Sequence, residues 1–286
     1  MKRLLIFSSF SLCACSAPLG TSSSAIVNGA TDTTDTSVVA LHIASSNGPQ
    51  DDALCSGTVV SPHVVMTAAH CLSPDVVGPV DHVDIFLGDD PFDPQEANDT
   101  SLFITAASTS YDPDFSKDAA THDIAVIVSP TPLALTPIAL NHDGLGSGDI
   151  NTPVHVVGFG ESDGNDPSTA GPRRSADTVI FGVDDEHIRL VNVICEGDSG
   201  GPSIITKNGN TVVAGVHSFT TTPNCTSDGD DTRVDKYASF VDDAIDQADP
   251  GFLPGGCNSS GGRTKNVDAV AIVFAIAALA RKKKSG

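Results

Sequence analysis

Short apolar runs separated by turn residues make up the central part of the chain. Runs at 58–60, 82–87, 154–157, 178–183 and 212–216 are rich in β-branched residues, and Gly, Asn, Asp and Pro lie between them. Apolar and polar residues alternate in 82–87 and 178–183, which is typical of strands with one buried face. The spacing of these runs predicts an all-β barrel or sandwich.

One segment near the end of this part has helical spacing. The apolar residues Tyr237, Phe240, Val241, Ala244 and Ile245 recur at intervals of three and four, and three aspartates lie off that stripe. This pattern predicts an amphipathic helix that buries one face.

The first 25 residues have the pattern of a secretion signal. Lys2 and Arg3 precede a largely apolar stretch at 4–12. Two processing positions fit. Leu-Cys-Ala-Cys at 12–15 resembles a bacterial lipobox, and Ser-Ser-Ala at 23–25 satisfies the small-residue rule for ordinary signal cleavage. The second cut would expose the segment that begins at residue 26.

The C-terminus changes composition. A Gly/Pro/Ser-rich linker at 250–268 contains Cys257, and residues 269–286 contain twelve apolar residues followed by a basic cluster. Twelve helical residues span about 18 Å, less than the ~30 Å hydrocarbon core of a bilayer. A buried core helix is the alternative, but a basic end behind a linker argues against it. The tail resembles bacterial sorting signals of the Gly-Gly or Gly-Cys type, which implies a processed membrane anchor in which Cys257 carries a lipid or a crosslink.

The chain is strongly acidic. Its net charge is −21, and residues 26–256 hold 7 basic and 35 acidic residues. Because phosphate contacts need clustered Lys and Arg, we expect no nucleic-acid partner. A solvated acidic surface is the simplest explanation; calcium binding, salt tolerance and steering of cationic substrates are alternatives.

One acidic loop is a candidate calcium site. It contains Asp89, Asp90, Asp93, Glu96 and Asp99, although two prolines interrupt the spacing. Calcium requires such oxygen ligands. We otherwise expect no cofactor, since no metal-binding spacing such as H-E-x-x-H occurs among the histidines.

Three separated segments carry candidate chemistry. Thr-Ala-Ala-His-Cys ends at Cys71 and contains His70, residues 121–127 contain Asp123, and Gly-Asp-Ser-Gly-Gly-Pro at 197–202 contains Ser199. A serine hydroxyl needs a base to become nucleophilic, and histidine titrates near neutrality. A buried carboxylate can orient the imidazole, and glycines let the backbone turn so that N–H groups point at one place.

A rival motif shares the serine segment. Gly-Asp-Ser-Gly-Gly also fits the nucleophile elbow of α/β-hydrolases. That arrangement needs an acid and then a histidine after the serine. The only histidine after Ser199 is His217, and no Asp or Glu lies between them. The chain order therefore excludes the elbow.

Taken in order, these segments resemble the chymotrypsin/trypsin-like serine protease family over about 26–247. The resemblance implies two antiparallel six-stranded β-barrels, at about 26–142 and 143–249, with a C-terminal helix packed on the second. It implies that His70 is the base, Asp123 orients it, and Ser199 is the nucleophile. The backbone N–H groups of Gly197 and Ser199 would form the oxyanion hole.

The resemblance also implies disulfides and an activation step. It pairs Cys55 with Cys71 and Cys195 with Cys225, which spacing alone cannot assign, and disulfides indicate an oxidising compartment. The segment from Ile26 resembles a mature N-terminus, whose amino group would pair with Asp198. Residue 25 is alanine, so we do not expect activation by a trypsin-like protease.

The resemblance further suggests a substrate pocket. Val193 stands where trypsin-like members carry an aspartate, so basic side chains are disfavoured. The other expected pocket residues are Ile194, Ser218, Phe219, Thr220 and Gly229. A narrow slot for small or medium apolar side chains follows; loop differences that reshape the pocket are the alternative.

These observations predict a secreted or surface-displayed bacterial serine endopeptidase that forms an acyl-enzyme. Its partners would be protein or peptide substrates, signal peptidase and a C-terminal sorting enzyme. The competing hypotheses are a binding or adhesion module without turnover, and a protease used once on itself.

Overall fold

The computed structural model describes residue Ile26 and residues 29–191, 193–220, 222 and 224–253. The predicted leader, Cys257 and the apolar tail lie outside these residues. None of the helices described is both long and apolar enough to cross a membrane.

The described elements are mostly strands. In chain order they are β1 Ala30–Thr31, β2 Val38–Ser45, β3 Ala53–Val59, β4 Val64–Thr67, β5 Val80–Phe86, β6 Phe103–Thr105, β7 Ser108–Tyr111, β8 Ala125–Val128, β9 Ala139–Leu140, β10 Pro153–Gly158, β11 Arg174–Val183, β12 His187–Leu190, β13 Pro202–Lys207, β14 Asn210–Thr220 and β15 Gly229–Arg233. The helices are α1 Pro74–Val77 and α2 Val234–Ala248, with 3-10 turns at Pro49–Asp51, Ala69–Cys71, Thr100–Leu102, Ser147–Asp149 and Pro167–Thr169.

The first sheet closes through one chain segment. Its strand order is β6-β5-β2-β3-β4-β8-β7, and all pairs are antiparallel. Strands β6 and β7 follow each other with only Ala106 and Ala107 between them. The N–H of Ala106 donates to Val83 O and that of Ala107 to Val128 O, both at 2.8 Å. The 103–111 segment therefore joins both edges and completes a six-stranded barrel.

The second sheet also forms a ring. Its order is β1-β11-β10-β13-β14-β15-β12, and β11 pairs with β12 as well. Strands β10 to β15 thus form a closed six-stranded antiparallel barrel. Strand β1 extends it beside β11, and β9 adds a short parallel pair with β14. The predicted all-β fold with two barrels is confirmed.

Strand β2 shows how the two barrels meet. Its alternating residues Val39, Leu41 and Ile43 fill the core of the first barrel. On the opposite face, Val38 and Ala40 pack in a separate cluster with apolar side chains of β10, its following loop and β13. Because both faces of the strand are largely covered, six of the eight residues of β2 are buried.

Helix α2 is the amphipathic helix that the spacing of apolar residues predicts, and it confirms that prediction. It buries Tyr237, Val241 and Ile245 on one face. It contacts β14 of the second barrel, as expected, and also β4 and β8 of the first. Asp249, just after the helix, accepts hydrogen bonds from Ser61 Oγ at 2.6 Å and His63 Nδ1 at 2.6 Å. These bonds fix the end of the helix to the first barrel.

Candidate active site

His70 lies in the 3-10 turn that follows β4. Its neighbours Ala69 and Cys71 are buried, so the turn is anchored in the first barrel. A disulfide between Cys55 and Cys71 ties this turn to β3, with Cα atoms 6.4 Å apart. This is one of the two pairs that the resemblance implies, and it limits how far the imidazole can move.

Asp123 lies two residues before β8 and is 2% exposed. It accepts hydrogen bonds from the backbone N–H of His70 at 2.8 Å, from His70 Nδ1 at 2.7 Å and from Ser218 Oγ. Burial alone would raise the pKa of Asp123, but attraction to His70 and these hydrogen bonds outweigh it and lower the pKa. The carboxylate therefore stays charged and holds the imidazole through Nδ1, leaving Nε2 free for chemistry.

The electrostatics of His70 favour a base. Burial lowers its pKa, but the charge of Asp123 and the hydrogen bond to it more than compensate, so the pKa of His70 lies above its ordinary value. The imidazole is therefore a stronger proton acceptor than a free histidine, and the imidazolium that forms after proton transfer is stabilised.

Ser199 lies on a tight turn between two glycines. Gly197 has φ +93° and Gly200 has φ +84°, conformations that favour glycine. A Cβ on Gly200 would come 2.0 Å from Thr67 Oγ1, so the close approach to the first barrel also requires glycine. The Ser56 N–H donates to Ser199 O at 2.8 Å, and a second disulfide, Cys195–Cys225, begins four residues before the serine.

The three side chains meet in one cavity. His70, Asp123 and Ser199 line a cleft of about 590 Å³ that both barrels contribute to. Within the described residues, His70 Nε2 and Ser199 Oγ do not form a direct hydrogen bond, as is common before substrate tightens a catalytic site. The N–H groups of Gly197 and Ser199 find no acceptor in the same part of the chain, which leaves both free to bind an oxyanion.

The predicted pocket residues are divided between the cavity wall and the layer behind it. Ile194, Ser218, Phe219 and Thr220 line the cavity. Val193 and Gly229 are not among its lining residues. Val193 is buried in the core of the second barrel beside Ile194, and a Cβ on Gly229 would lie 2.5 Å from the Ile194 side chain. Gly229 thus leaves room for the Ile194 side chain, whereas Val193 belongs to the core and not to the cavity wall.

Several lining residues were missed by sequence analysis. They include Val76, Phe115, Lys117, Glu196 and Thr222. The position of Glu196, directly before the glycine of the serine segment, was a usable signal. The other residues come from loops whose path depends on the barrel geometry, so nothing in their local sequence points to the site.

His217 forms a buried network behind the nucleophile. Its Nδ1 lies 3.0 Å from both oxygens of Asp231, and Ser203 Oγ donates to Asp231 at 2.5 Å. Burial lowers the pKa of His217, but the Asp231 charge outweighs it and raises the pKa. The His217 backbone accepts from Gly200 N and donates to Gly201 O, both at 2.8 Å, so this network supports the nucleophile turn.

Asp198 is a fully buried carboxylate without a salt bridge to any described residue. It accepts hydrogen bonds from the backbone N–H groups of Gly160 at 2.8 Å and Cys195 at 2.9 Å. Burial nevertheless raises its pKa to about 6. Ile26, the expected partner, is fully buried in the core cluster that contains Val193 and Ile194. Since residue 25 precedes it in this chain, its nitrogen is a peptide amide and not an ammonium group.

The carboxylates of the acidic loop at 89–99 make most of their hydrogen bonds within the loop. Glu96 accepts from the N–H groups of Asp89 and Asp90, and Asp93 accepts from those of Gln95 and Glu96. The Asp89 carboxylate pairs with the guanidinium of the buried Arg173, and Asp99 caps the next turn. Calcium binding in this loop stays a prediction.

A serine, a histidine and an aspartate in the cleft between two six-stranded barrels define the class of chymotrypsin-like serine proteases. The chain matches the family model described as Trypsin over residues 26–241 and therefore belongs to the trypsin family. It is a hydrolase that acts on protein substrates.

Two curated relatives are similar in sequence. Brachyurin of Leptuca pugilator is 29% identical over 205 residues, which cover 65% of this chain and 85% of that protein. Chymotrypsin-like elastase family member 1 of Bos taurus is 28% identical over 279 residues, which cover 86% of this chain and 99% of that protein.

Solved structures have the same fold. HL collagenase superposes with a TM-score of 0.62 at 19% identity, over 77% of this chain and 98% of that one. HBP superposes with a TM-score of 0.60 at 19% identity, over 80% of this chain and all of that one. At these identities the likeness concerns the fold alone.

Proposed function

We propose that this protease cleaves peptide bonds through an acyl-enzyme on Ser199, with His70 as the base and Asp123 as its orienting acid. The observation that carries the proposal is the 2.7 Å bond between His70 Nδ1 and Asp123 Oδ2, in a cavity that Ser199 also lines. In the first half-reaction, Ser199 Oγ attacks the carbonyl carbon while its proton passes to His70 Nε2. The same proton is then given to the leaving amine, and water reverses the sequence to free the acid.

Two backbone amides would stabilise the charge that develops on the substrate oxygen. The N–H groups of Gly197 and Ser199 are free of protein acceptors within the described residues. The loss of one such donor typically costs about 3–4 kcal/mol of transition-state stabilisation. Ser218 contributes indirectly, because its hydroxyl group donates to Asp123.

The substrate side chain before the cleaved bond is small or medium-sized and apolar in this proposal. Ile194 and Phe219 offer an apolar surface, and Gly229 packs directly against Ile194 and supports it from behind. A valine at residue 193 leaves no carboxylate there to pair with lysine or arginine.

The proposed enzyme is made as an inactive precursor. A cut after Ala25 would convert the Ile26 nitrogen into an ammonium group, and Asp198 is a buried carboxylate without a salt bridge to any described residue, so that the more distant charges of His217 and Arg174 offset its burial only in part. Pairing of the two would remove the penalty that now raises the pKa of Asp198. It would also order the backbone on either side of Asp198, where the oxyanion donors lie.

The proposed location is outside the cell or on its surface, in a bacterium. The apolar leader and the tail at 250–286, with Cys257 as the anchor position, support export and display. Two disulfides also fit an oxidising compartment.

A peptide library tests the substrate proposal. The protein, with its N-terminus at Ile26, is incubated with peptides that vary at the residue before the cut, and the products are identified by mass spectrometry. The matched control is Ser199→Ala, which keeps the pocket and removes the nucleophile. We expect cleavage after Ala, Val or Leu in the parent only. Preferred cleavage after Arg or Lys would refute the pocket assignment, and no cleavage by the parent would favour a binding module.

A further inference from the structure

A second cluster of chemically reactive side chains lies on the first barrel, outside the cleft. Strands β2 and β5 pair so that His42 stands opposite Asp84 and Ala44 stands opposite His82. Residues two apart on a strand share a face, so His82 and Asp84 project on the same side as His42. The two imidazoles are about two-fifths exposed, whereas the Asp84 side chain is 16% exposed. The cluster is therefore accessible but partly enclosed.

The potential ligand atoms converge on one point. His42 Nδ1 lies 3.5 Å from Asp84 Oδ2, and His82 Nε2 lies 3.3 Å from the same oxygen. The ligand atoms of all three residues lie within 4.8 Å of one another. A tetrahedral zinc site with bonds of about 2.0–2.1 Å separates its ligand atoms by about 3.4 Å. The two nitrogen–oxygen distances are those of neighbouring ligands around one such ion.

Each of these three side chains also makes a hydrogen bond to a further residue through its other polar atom. His42 Nε2 is bonded to Asp52 at 2.8 Å, and His82 Nδ1 to Asp81 at 2.9 Å. The second oxygen of Asp84 accepts a hydrogen bond from Thr105 Oγ1 at 2.5 Å. Histidines that bind metals usually donate their other N–H to a carboxylate, which fixes the tautomer and the ring orientation. When both histidines are neutral and donate these N–H groups, the lone pairs of their other ring nitrogens face Asp84 Oδ2, and a cation between the three atoms takes the place of the protons that otherwise pair them.

Another histidine shows the contrast. His155 also lies among carboxylates, but its Nε2 is bonded to Asp35 and its Nδ1 to Asp177, at 2.9 and 2.8 Å. Together with Asp32 and Asp35, His155 offers one imidazole and two carboxylates. Among the described residues, only the β2–β5 cluster brings nitrogens of two imidazoles next to one carboxylate oxygen.

We propose that His42, His82 and Asp84 bind one Zn²⁺ ion on the outer face of the first barrel, with the fourth position open to water. Two imidazoles and one carboxylate suit zinc and its neighbours in the first transition row, whereas calcium prefers oxygen ligands alone. The ion joins β2 to β5, so it stabilises the folded barrel. None of the three ligands lines the catalytic cleft. The zinc site is therefore independent of the proposed function.

Zinc binding by the full-length chain tests the proposal. The protein carries Ser199→Ala to prevent self-cleavage and no histidine tag, and equilibrium dialysis at about pH 7.5, above the ordinary pKa of histidine, measures the stoichiometry and affinity for Zn²⁺. Visible absorption of the Co²⁺ form reports the geometry. We expect one ion per chain and a loss of at least about 100-fold in affinity in both His42→Gln and His82→Gln. We expect a loss of about 10- to 100-fold in Asp52→Asn, which removes the charge that contacts His42 but keeps an oxygen to accept from the Ser45 N–H.

His142→Gln is the matched control. His142 is an exposed histidine whose ring nitrogens contact Asp242 at 2.9 Å and Leu140 O at 3.2 Å, so its loss leaves the proposed site intact. This variant keeps the parent affinity. Zn²⁺ raises the melting temperature of the parent and of His142→Gln but not that of His82→Gln, because the ion stabilises the folded protein only where the site is intact. Absence of stoichiometric binding, or equal binding by the parent, His42→Gln and His82→Gln, would overturn the proposal.

Discussion

Replacement of Asp198 by asparagine should change how the stability of the precursor depends on pH. Asp198 is fully buried and accepts two backbone hydrogen bonds, yet burial raises its pKa to about 6. The charge therefore destabilises the uncleaved chain. Asparagine keeps the size of the side chain and removes its titration. It also leaves one backbone N–H without an acceptor, but that cost does not vary with pH.

The magnitude follows from the rise in pKa. The carboxyl ionises near 3.8 in the unfolded chain and at about 6 in the folded chain. Between these values the folded chain holds a proton that the unfolded chain has lost, so the free energy of unfolding falls as the pH rises. Each pKa unit corresponds to about 1.4 kcal/mol, so the full effect is about 3 kcal/mol and is reached above about pH 6.

The assay is urea unfolding of the precursor carrying Ser199→Ala, with and without Asp198→Asn, at about pH 4 and about pH 7, on either side of the titration. Other titrating groups contribute in both proteins, and their effects largely cancel in the comparison. Over this range we expect the protein with Asp198 to lose about 2–3 kcal/mol more stability than the Asp198→Asn variant loses. Equal pH dependence in the two proteins would show that burial does not raise the pKa of Asp198 in the precursor, and would contradict the proposed role of Asp198 in activation.

Three further predictions concern the triad and the barrel interface. Ser218→Ala removes a hydrogen bond to the charged Asp123, worth about 1.5–3 kcal/mol, and should lower kcat/KM about 10- to 100-fold in a peptide assay while substrate KM changes little. Activity should fall as the pH drops through the raised pKa of His70, because only the neutral imidazole accepts the serine proton; a rate independent of pH between about 5 and about 9 would contradict this. Arg173→Met should lower the free energy of unfolding by about 3 kcal/mol in a denaturant titration, because the buried carbonyl groups of Asp32 and Val38 lose their donor. Arg189→Met removes an exposed ion pair and should lower it by less than about 1 kcal/mol.

The chemistry-bearing residues could be predicted from the sequence because each lies in a distinctive local motif. His70 is flanked by Cys71, and Ser199 by glycines, and the backbone conformation of Gly197 and Gly200 explains why those glycines are needed. The order of the motifs also excluded the nucleophile elbow. The two-barrel fold followed from the resemblance, and the helix from its own spacing.

Features that depend on long-range pairing could not be predicted. The sequence does not show that His217 meets Asp231, or that Ser218 donates to Asp123, because these pairs form only when β14 reaches its neighbours. The histidine cluster on the first barrel could not be predicted for the same reason. His42 and His82 lie forty residues apart, and only the register between β2 and β5 brings them together.

The central claim is that His70 activates Ser199, and covalent labelling tests it most directly. The protein, with its N-terminus at Ile26, is treated with a peptidyl phosphonate, and the labelled peptide is identified by mass spectrometry alongside His70→Gln. We expect one phosphonate per chain, attached to Ser199, and labelling at least about 100-fold slower in the variant, in line with general-base contributions of about 10²–10⁴-fold. No labelling of the parent, a label on another residue, or equal rates in the two proteins would contradict the account.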